Sequence, residues 1–298
     1  MRNKFLQFFA LVIFAILAMG GLAAQGQAGP ASSRSIYSRD NLVAWCIVPF
    51  DSSHRTPRQR SEMLNRLGIR KLAYDWREKN IPEFDEEFRE LRNHGIKLQA
   101  FWLASRGDSA SVDGDAEAVF SFLKRNHLHT ELWYMFLPPA GFDTLTQEEK
   151  LERAARAVAY IGRRADSLGC TVGLYNHEGW YGEPENQLAI IEKLRMKNLG
   201  MVFNFHHAQI QVDRFNSFFP KILPHLLCIN IAGIRKNDPA IYPVGSGDSE
   251  QNMMRLIATN GYRGPIGIIN ESTHPDAETG LRMNLDGLAK LIPGLDGK

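Results

Sequence analysis

The sequence predicts an α/β fold, a single (β/α)8 TIM barrel following an N-terminal signal peptide. Short apolar runs alternate with amphipathic helical runs throughout residues 41–298. Such alternation implies parallel strands joined by right-handed crossovers, and eight units in about 270 residues suit a closed barrel. No glycine-rich dinucleotide fingerprint follows the first apolar run, which argues against an open nucleotide-binding sheet and predicts no nucleotide cofactor.

The strand candidates are Leu42–Val48, Lys71–Tyr74, Lys97–Leu103, Glu131–Phe136, Thr171–Tyr175, Gly200–Phe203, Leu226–Ile231 and Ile266–Ile269. They are short, apolar and bounded by Gly, Pro, Asn or Asp, as buried parallel strands tend to be. Helices are expected between them. Thr56 caps the first, Pro57 opens it and Gly68 stops it after Leu67, the usual asymmetry of helix ends. The others are Phe84–Asn93, Ala116–Asn126, Gln147–Ser167, Pro184–Lys197, Asp213–Leu223, Asp248–Asn260 and Pro275–Leu291.

The first 28 residues read differently. Arg2 and Lys4 precede an uncharged apolar run from Phe5 to Leu17, and Gly20 to Ala28 is rich in small residues. This is the pattern of a cleaved signal peptide, with Ala23, Ala24 and Ala28 as cleavage candidates. An uncleaved anchor is the alternative, although the run is short against the roughly 20 residues a span needs. The expected localisation is exported, periplasmic or extracellular, with no membrane contact after cleavage. Residues 29–40 form a polar lead.

The charge balance excludes one class of partner. The chain has 35 Lys and Arg against 33 Asp and Glu, a net +2, without a basic stripe. Nucleic-acid grooves need such a stripe. Cys46, Cys170 and Cys228 lie in or beside apolar runs; they are too few and dispersed for a disulfide framework or a Cys-based zinc motif, and read as buried small hydrophobes.

In a barrel of this kind the active site lies at the C-terminal ends of the strands, which turns the strand assignments into site candidates. Strand two ends in Asp75 and Trp76, and strand three offers Trp102. Strand five ends in Tyr175, Asn176, His177 and Glu178, with Trp180 just beyond. Strand six ends in Asn204, His206 and His207, strand seven offers Asn230, and strand eight Asn270 with Glu271 beside it. Aromatic faces, amides, imidazoles and carboxylates on one rim suit a small-molecule carbohydrate. His177, Glu178 and Asp75 are the acid–base candidates. His206, His207 and Glu178 are candidate ligands for Zn, Mn or Co. Each also has a structural alternative: a helix cap, an ion pair with Arg77, or a packed histidine. The Gly245–Asp248 turn offers backbone amides to an anion, but Asp248 as N-cap would occupy them.

These positions resemble the xylose isomerase-like (sugar phosphate isomerase/epimerase-like) barrels over most of residues 41–292. Leu67-Gly68-Ile69 and His94-Gly95-Ile96 match the entries to strands two and three. Tyr175-Asn176-His177 stands where the family has Glu-Asn-His, and Asn204-Phe205-His206-His207 where it has Asp-x-x-His. Pro243-Val244-Gly245-Ser246-Gly247-Asp248 and Gly261-Tyr262-Arg263-Gly264 match the family's Pro-x-Gly-x-Gly-Asp and Gly-Tyr-x-Gly segments. The resemblance implies a divalent metal at the barrel mouth and proton transfer next to a carbonyl. Here, however, the family's strand-five Glu is Tyr175 and its strand-six Asp is Asn204. Its strand-seven His is Asn230, and its strand-eight Glu is Asn270 or is displaced to Glu271. Only His207 falls on a family ligand position. Amides do not balance a divalent charge, so weak metal binding is expected.

Three readings follow. The first is an exported isomerase, epimerase or lyase acting on a sugar or keto-sugar; some exported relatives are associated with 3-keto glycosides. The second is a non-catalytic carbohydrate-binding barrel with a degenerate metal site. The third is a hydrolase using Asp75 and Glu178 as paired carboxylates.

Overall fold

The structure, a computed structural model, describes residues 35–107, 114–271 and 273–295. The leader and the first half of the polar lead, residues 29–34, therefore lie outside the described residues. The end of the lead is anchored: Tyr37 is buried and its hydroxyl donates to the Met254 carbonyl at 2.6 Å.

The strands are β1 (Leu42–Trp45), β2 (Lys71–Tyr74), β3 (Lys97–Ser105), β4 (Glu131–Phe136), β5 (Thr171–Tyr175), β6 (Leu199–Asn204), β7 (Leu226–Ile231), β8 (Gly233–Arg235), β9 (Asp238–Tyr242) and β10 (Ile266–Ile269). Eight of them close into a barrel in the order β1-β10-β7-β6-β5-β4-β3-β2, and every pairing within it is parallel. The remaining two, β8 and β9, form an antiparallel hairpin after β7 that the sequence analysis did not anticipate. The helices are α1 (Pro57–Leu67), α2 (Phe84–Asn93), α3 (Gly114–Arg125), α4 (Gln147–Asp166), α5 (Gly179–Gly182), α6 (Pro184–Leu194), α7 (Phe215–Ile222), α8 (Glu250–Thr259) and α9 (Ala277–Leu295). No helix among the described residues is long and apolar enough to cross a membrane.

Local chemistry sets the element ends. Thr56 and Gln59 make a reciprocal capping box at α1, and Gly68 ends it in the left-handed region at φ +69°. Thr146 and Glu149 repeat the box at α4. Such caps satisfy amides that the first helical turn leaves free. β1 stops at Trp45, short of the expected Val48, because Cys46 takes φ +55°, a conformation strands do not accommodate. At α8 the expected cap Asp248 is replaced by another device. The buried Glu250 carboxylate accepts from the amides of Gly245 (3.1 Å) and Gly247 (2.8 Å). The amides of that turn are therefore taken by the chain's own carboxylate.

Two apolar cores result. The larger lies between the strands and the helices; the smaller fills the barrel and contains Val43, Trp45, Ala73, Ala100, Trp133, Tyr175, Val202 and Cys228. Small residues on several strands make room for the large rings of the others. At Gly173 a Cβ would lie 2.7 Å from Val202 Cγ2 and 3.6 Å from Trp133, so the glycine is a space requirement there.

Candidate functional site

The barrel interior ends upward in an aromatic floor. Trp45 packs edge-on to Trp133 with ring centroids 4.8 Å apart, and Tyr175 lies 5.0 Å from Trp102 and 5.8 Å from Trp45. The Tyr175 hydroxyl accepts from Trp45 Nε1 at 3.0 Å and from the Asn204 side-chain amide. Trp102 is only half-buried, so this ring faces the mouth.

Asn204 is fully committed. Besides donating to Tyr175, its Oδ1 accepts from the His206 amide at 3.0 Å. Its backbone exchanges two hydrogen bonds with the Asn176 side chain, at 2.6 and 3.1 Å. A carboxylate at position 204 would have no N–H to give Tyr175. The tyrosine and asparagine thus form one hydrogen-bonded unit in the place where the family resemblance puts a Glu and an Asp. This donor set does not fit a divalent metal: it is a phenol and an amide already bonded to each other. Among the described residues no three of His, Cys, Asp and Glu gather as a ligand set. Glu178, a candidate ligand, is exposed at the rim.

Above the floor stand two arcs of ionisable groups. On the β5–β6 side the rings of His177, His207 and His206 pack in series, tilted by 41° and 47°, with centroids 4.3 Å apart at each step. The His207 ring also meets Tyr175 edge-on at 5.9 Å. Burial lowers all three: His177 downward, His206 to about 4 and His207 to about 2, with like-charge neighbours adding to the effect on the last two. The Glu178 carboxylate acts the other way on His177 and His206. Buried His206 Nδ1 has no hydrogen-bond partner.

The opposite arc comes from β1, β2 and β10. Asp75 is buried, and its Oδ1 accepts from the Val48 amide at 3.3 Å while Oδ2 has no partner. Burial raises its carboxyl to about 7, against the pull of Arg77. Burial likewise raises Glu271, again opposed by Arg77 and by Cys46, whose Sγ lies 3.5 Å from Glu271 Oε2. Cys46 holds its left-handed backbone here; strain of this kind, on the order of 1–3 kcal/mol, gathers at functional sites. The Arg77 guanidinium is pinned by the carbonyls of Asp75 and Trp76, both at 2.9 Å.

The structure thus brings Asp75, Trp102, Tyr175, Asn204, His177, His206, His207 and Glu178 to one mouth. It turns other candidates elsewhere. Trp76 packs on Phe84 at 5.1 Å and donates to the Trp102 carbonyl, on the helix side of the strands. Asn176 spends its side chain on Asn204, as above. Trp180 packs on Phe142 at 5.7 Å and donates to Gln147. Asn270 ties the carbonyls of Phe50 and His274 and abuts Gly280 of α9. Asn230 is buried in the barrel against Gly267, with Nδ2 unpartnered. Cys46, Arg77 and Glu271 join the mouth as well, although in the sequence they read as a buried small hydrophobe, an ion-pair partner and a displaced ligand. Cys170 and Cys228 are buried free thiols, as expected, whereas Cys46 has a carboxylate partner.

Comparison with known proteins agrees with this geometry at the level of fold. No curated protein sequence matches the chain. Among solved structures it is similar to the IolI protein with a bound zinc atom (11% identity, 87% of this chain and 100% of that one, TM-score 0.66). It is also similar to 3-keto-D-glucoside 4-epimerase YcjR from E. coli (12%, 85% and 99%, 0.61). A third likeness is to D-psicose 3-epimerase from Clostridium cellulolyticum H10 with D-tagatose (14%, 84% and 96%, 0.59). At these identities the likeness is one of fold. The family profile described as xylose isomerase-like TIM barrel matches residues 67–291. The chain belongs to the xylose isomerase-like TIM barrel family.

Proposed function

We propose that this chain is a sugar-active enzyme of the isomerase/epimerase type, moving a proton at the carbon next to a carbonyl of a sugar or keto-sugar. One observation carries the reading: two arcs of opposite protonation face one aromatic floor. The lowered imidazoles are neutral near pH 7 and accept a proton; Asp75, raised to about 7, holds one to give, and burial moves Glu271 in the same direction. General acid–base catalysis asks for that pairing. In the proposed reaction an imidazole, His177 or His206, takes the proton from the α carbon. Asp75 or Glu271 delivers a proton to the carbonyl oxygen, giving an enediol. Return of a proton to that carbon from the other face gives the epimer, and return to the neighbouring carbon the isomer, while an enediol O–H gives its proton back to the carboxylate as the carbonyl re-forms. Loss of a β-substituent instead gives elimination, so a lyase shares this first step. Glu178 stabilises the imidazolium as it forms, and Trp102 offers a face for the sugar ring. Membership of the family and the fold shared with two sugar epimerases support the substrate class. The leader-like residues 1–28 support a periplasmic or extracellular site of action.

The test is NMR in deuterium oxide with a panel of ketoses and 3-keto glycosides. The proposal expects deuterium to enter at the carbon next to the carbonyl, and H177N to slow that entry. The second reading, a carbohydrate-binding barrel, is favoured by the Tyr175–Asn204 unit at the family's metal position. Binding of a panel sugar without exchange in any of them would establish it instead.

A further inference from the structure

On the outer wall of the barrel, between the loop after β3 and α4, lies a hollow of about 480 Å³. Arg106, Arg153, Arg156 and Arg163 line it, with Phe136 and Tyr160 as an apolar wall. None of the four guanidiniums has an ion-pair or hydrogen-bond partner among the described residues. Several arginines elsewhere are paired with carboxylates. Arg60 lies on Glu87, Arg125 on Asp85 and Arg214 on Glu183. The contrast is sharpest between neighbours: Arg164 is paired with Glu117, and Arg163 is left to the hollow.

The backbone is built to gather these charges. Gly107 has φ +64°, and a Cβ there would lie 2.9 Å from both Cβ and O of Ala157 on α4. The loop therefore rests directly on the helix, and this close approach carries Arg106 to the helical row. Along α4, Arg153 and Arg156 are one turn apart and Arg163 two turns further. First to last they span about 15 Å at 1.5 Å per residue. A compact ion meets only part of such a row, whereas a ligand with oxyanions at intervals meets all of it. The strip is short, because Glu148, Glu149 and Glu152 line the adjoining hollow with Arg153 and Arg156. Of these, Glu149 is held by Thr146 and Glu152 by Lys193. Acidic flanks and four cations suit a short oligoanion better than a nucleic-acid backbone, which asks for a continuous basic track.

We propose that this hollow is an accessory binding site for an acidic oligosaccharide, a carbohydrate carrying carboxylate or sulfate groups on successive units. The proposal rests on the carbohydrate reading of the barrel mouth. Guanidinium forks take carboxylates and sulfates in bidentate fashion. The site also lies close to the rim. Phe136 packs on Phe142 and on Tyr181 at 5.5 and 5.8 Å, and Tyr181 belongs to α5, which begins directly after Glu178. A chain held in the hollow would sit one aromatic layer from the imidazole arc.

The test is calorimetric titration of the purified full chain with trigalacturonate, a sulfated oligosaccharide, neutral maltotriose, inorganic sulfate and short single-stranded DNA. One or both acidic sugars should bind, more tightly than sulfate and DNA. R153A/R156A should weaken that binding about ten-fold or more, from the loss of charge-assisted bonds, and leave any maltotriose binding unchanged. H207N, at the mouth, should leave acidic-sugar binding unchanged. Both variants are checked by thermal melting, and R106A/R163A is the second pair should the first melt early. Failure of both acidic sugars to bind, or binding to both R153A/R156A and R106A/R163A as tight as to the wild type, overturns the proposal. DNA binding as tight as sugar overturns the choice of ligand. The stretch 108–113 contains Asp108 and Asp113; binding gained only in D108N/D113N would mean the chain's own carboxylates fill the hollow, and overturns it too. Because binding is read without turnover, this result stands apart from the proton-exchange test of the mouth.

Discussion

The two arcs of the barrel mouth are built by the same means and end with opposite proton inventories. His177, His206 and His207 follow β5 and β6; Cys46, Asp75 and Glu271 follow β1, β2 and β10. Desolvation is the largest influence on every one of them. Burial disfavours whichever form carries charge, so it strips protons from imidazoles and keeps them on carboxyls. A base and an acid thus arise from one cause, with no charge brought in from outside.

The comparison is broken most severely by removing its members. If the imidazole arc supplies the base, H177N or H206N should slow deuterium entry into the substrate by about 10² to 10⁴-fold, the usual range for a general base. D75N or E271Q should do the same if the acid comes from the other arc. An effect confined to KM would place the altered residue in binding alone.

Stability against pH sharpens it next. Asp75 is raised when folded, from 3.8 to about 7. The native state therefore holds more protons than the unfolded one across that window, and stability falls as pH rises through it. The corresponding energy is at most about 4 kcal/mol, at 1.36 kcal/mol per pK unit. D75N should therefore melt several degrees above the wild type near pH 8 and match it near pH 4, measured by calorimetry. The histidines carry the opposite sign. His206 and His207 are lowered from 6.5 to about 4 and about 2, so the unfolded state binds the extra protons. Their contribution is present above 6.5 and is lost as pH falls through the folded values. H206N/H207N should flatten the acid limb of the melting profile and leave the alkaline side alone.

Smaller effects test the floor between the arcs. Y175F removes the acceptor shared by Trp45 Nε1 and the Asn204 amide. It should cost about 1–3 kcal/mol, the usual penalty for buried donors left without partners, in denaturant melts. Least of all should EDTA matter. With a phenol and an amide at the family's metal position, chelation should leave both the melting temperature and the exchange rate unchanged.

Much of this was legible in the sequence, and the limits have physical reasons. Periodicity and caps placed all eight barrel strands and the major helices, since Thr56-Pro57 and Thr146 write helix starts directly into the chain. The β8–β9 hairpin carries little signal because its strands are short and β9 has no buried residue, with Pro239 inside it. Its turn depends on Asn237 at φ +58°, a weak local signal. The strand-end rule found the mouth but did not separate adjacent residues. Side chains alternate along a strand, so Asp75 enters the mouth while Trp76 leaves it, and Glu271 enters while Asn270 turns to α9. Cys46 reads as an ordinary core residue until its backbone conformation and the approach of Glu271 are seen. The pairing of Tyr175 with Asn204 also lies beyond sequence reasoning, because it joins two strands through a single oxygen.

The central claim is that burial leaves the mouth imidazoles neutral where an acid stands ready opposite. It is tested most directly by NMR titration of the imidazole carbons, with His177, His206 and His207 assigned by single substitution. The account predicts that all three titrate with midpoints below 6.5, His207 last. Titration of the three at or above 6.5 would contradict it.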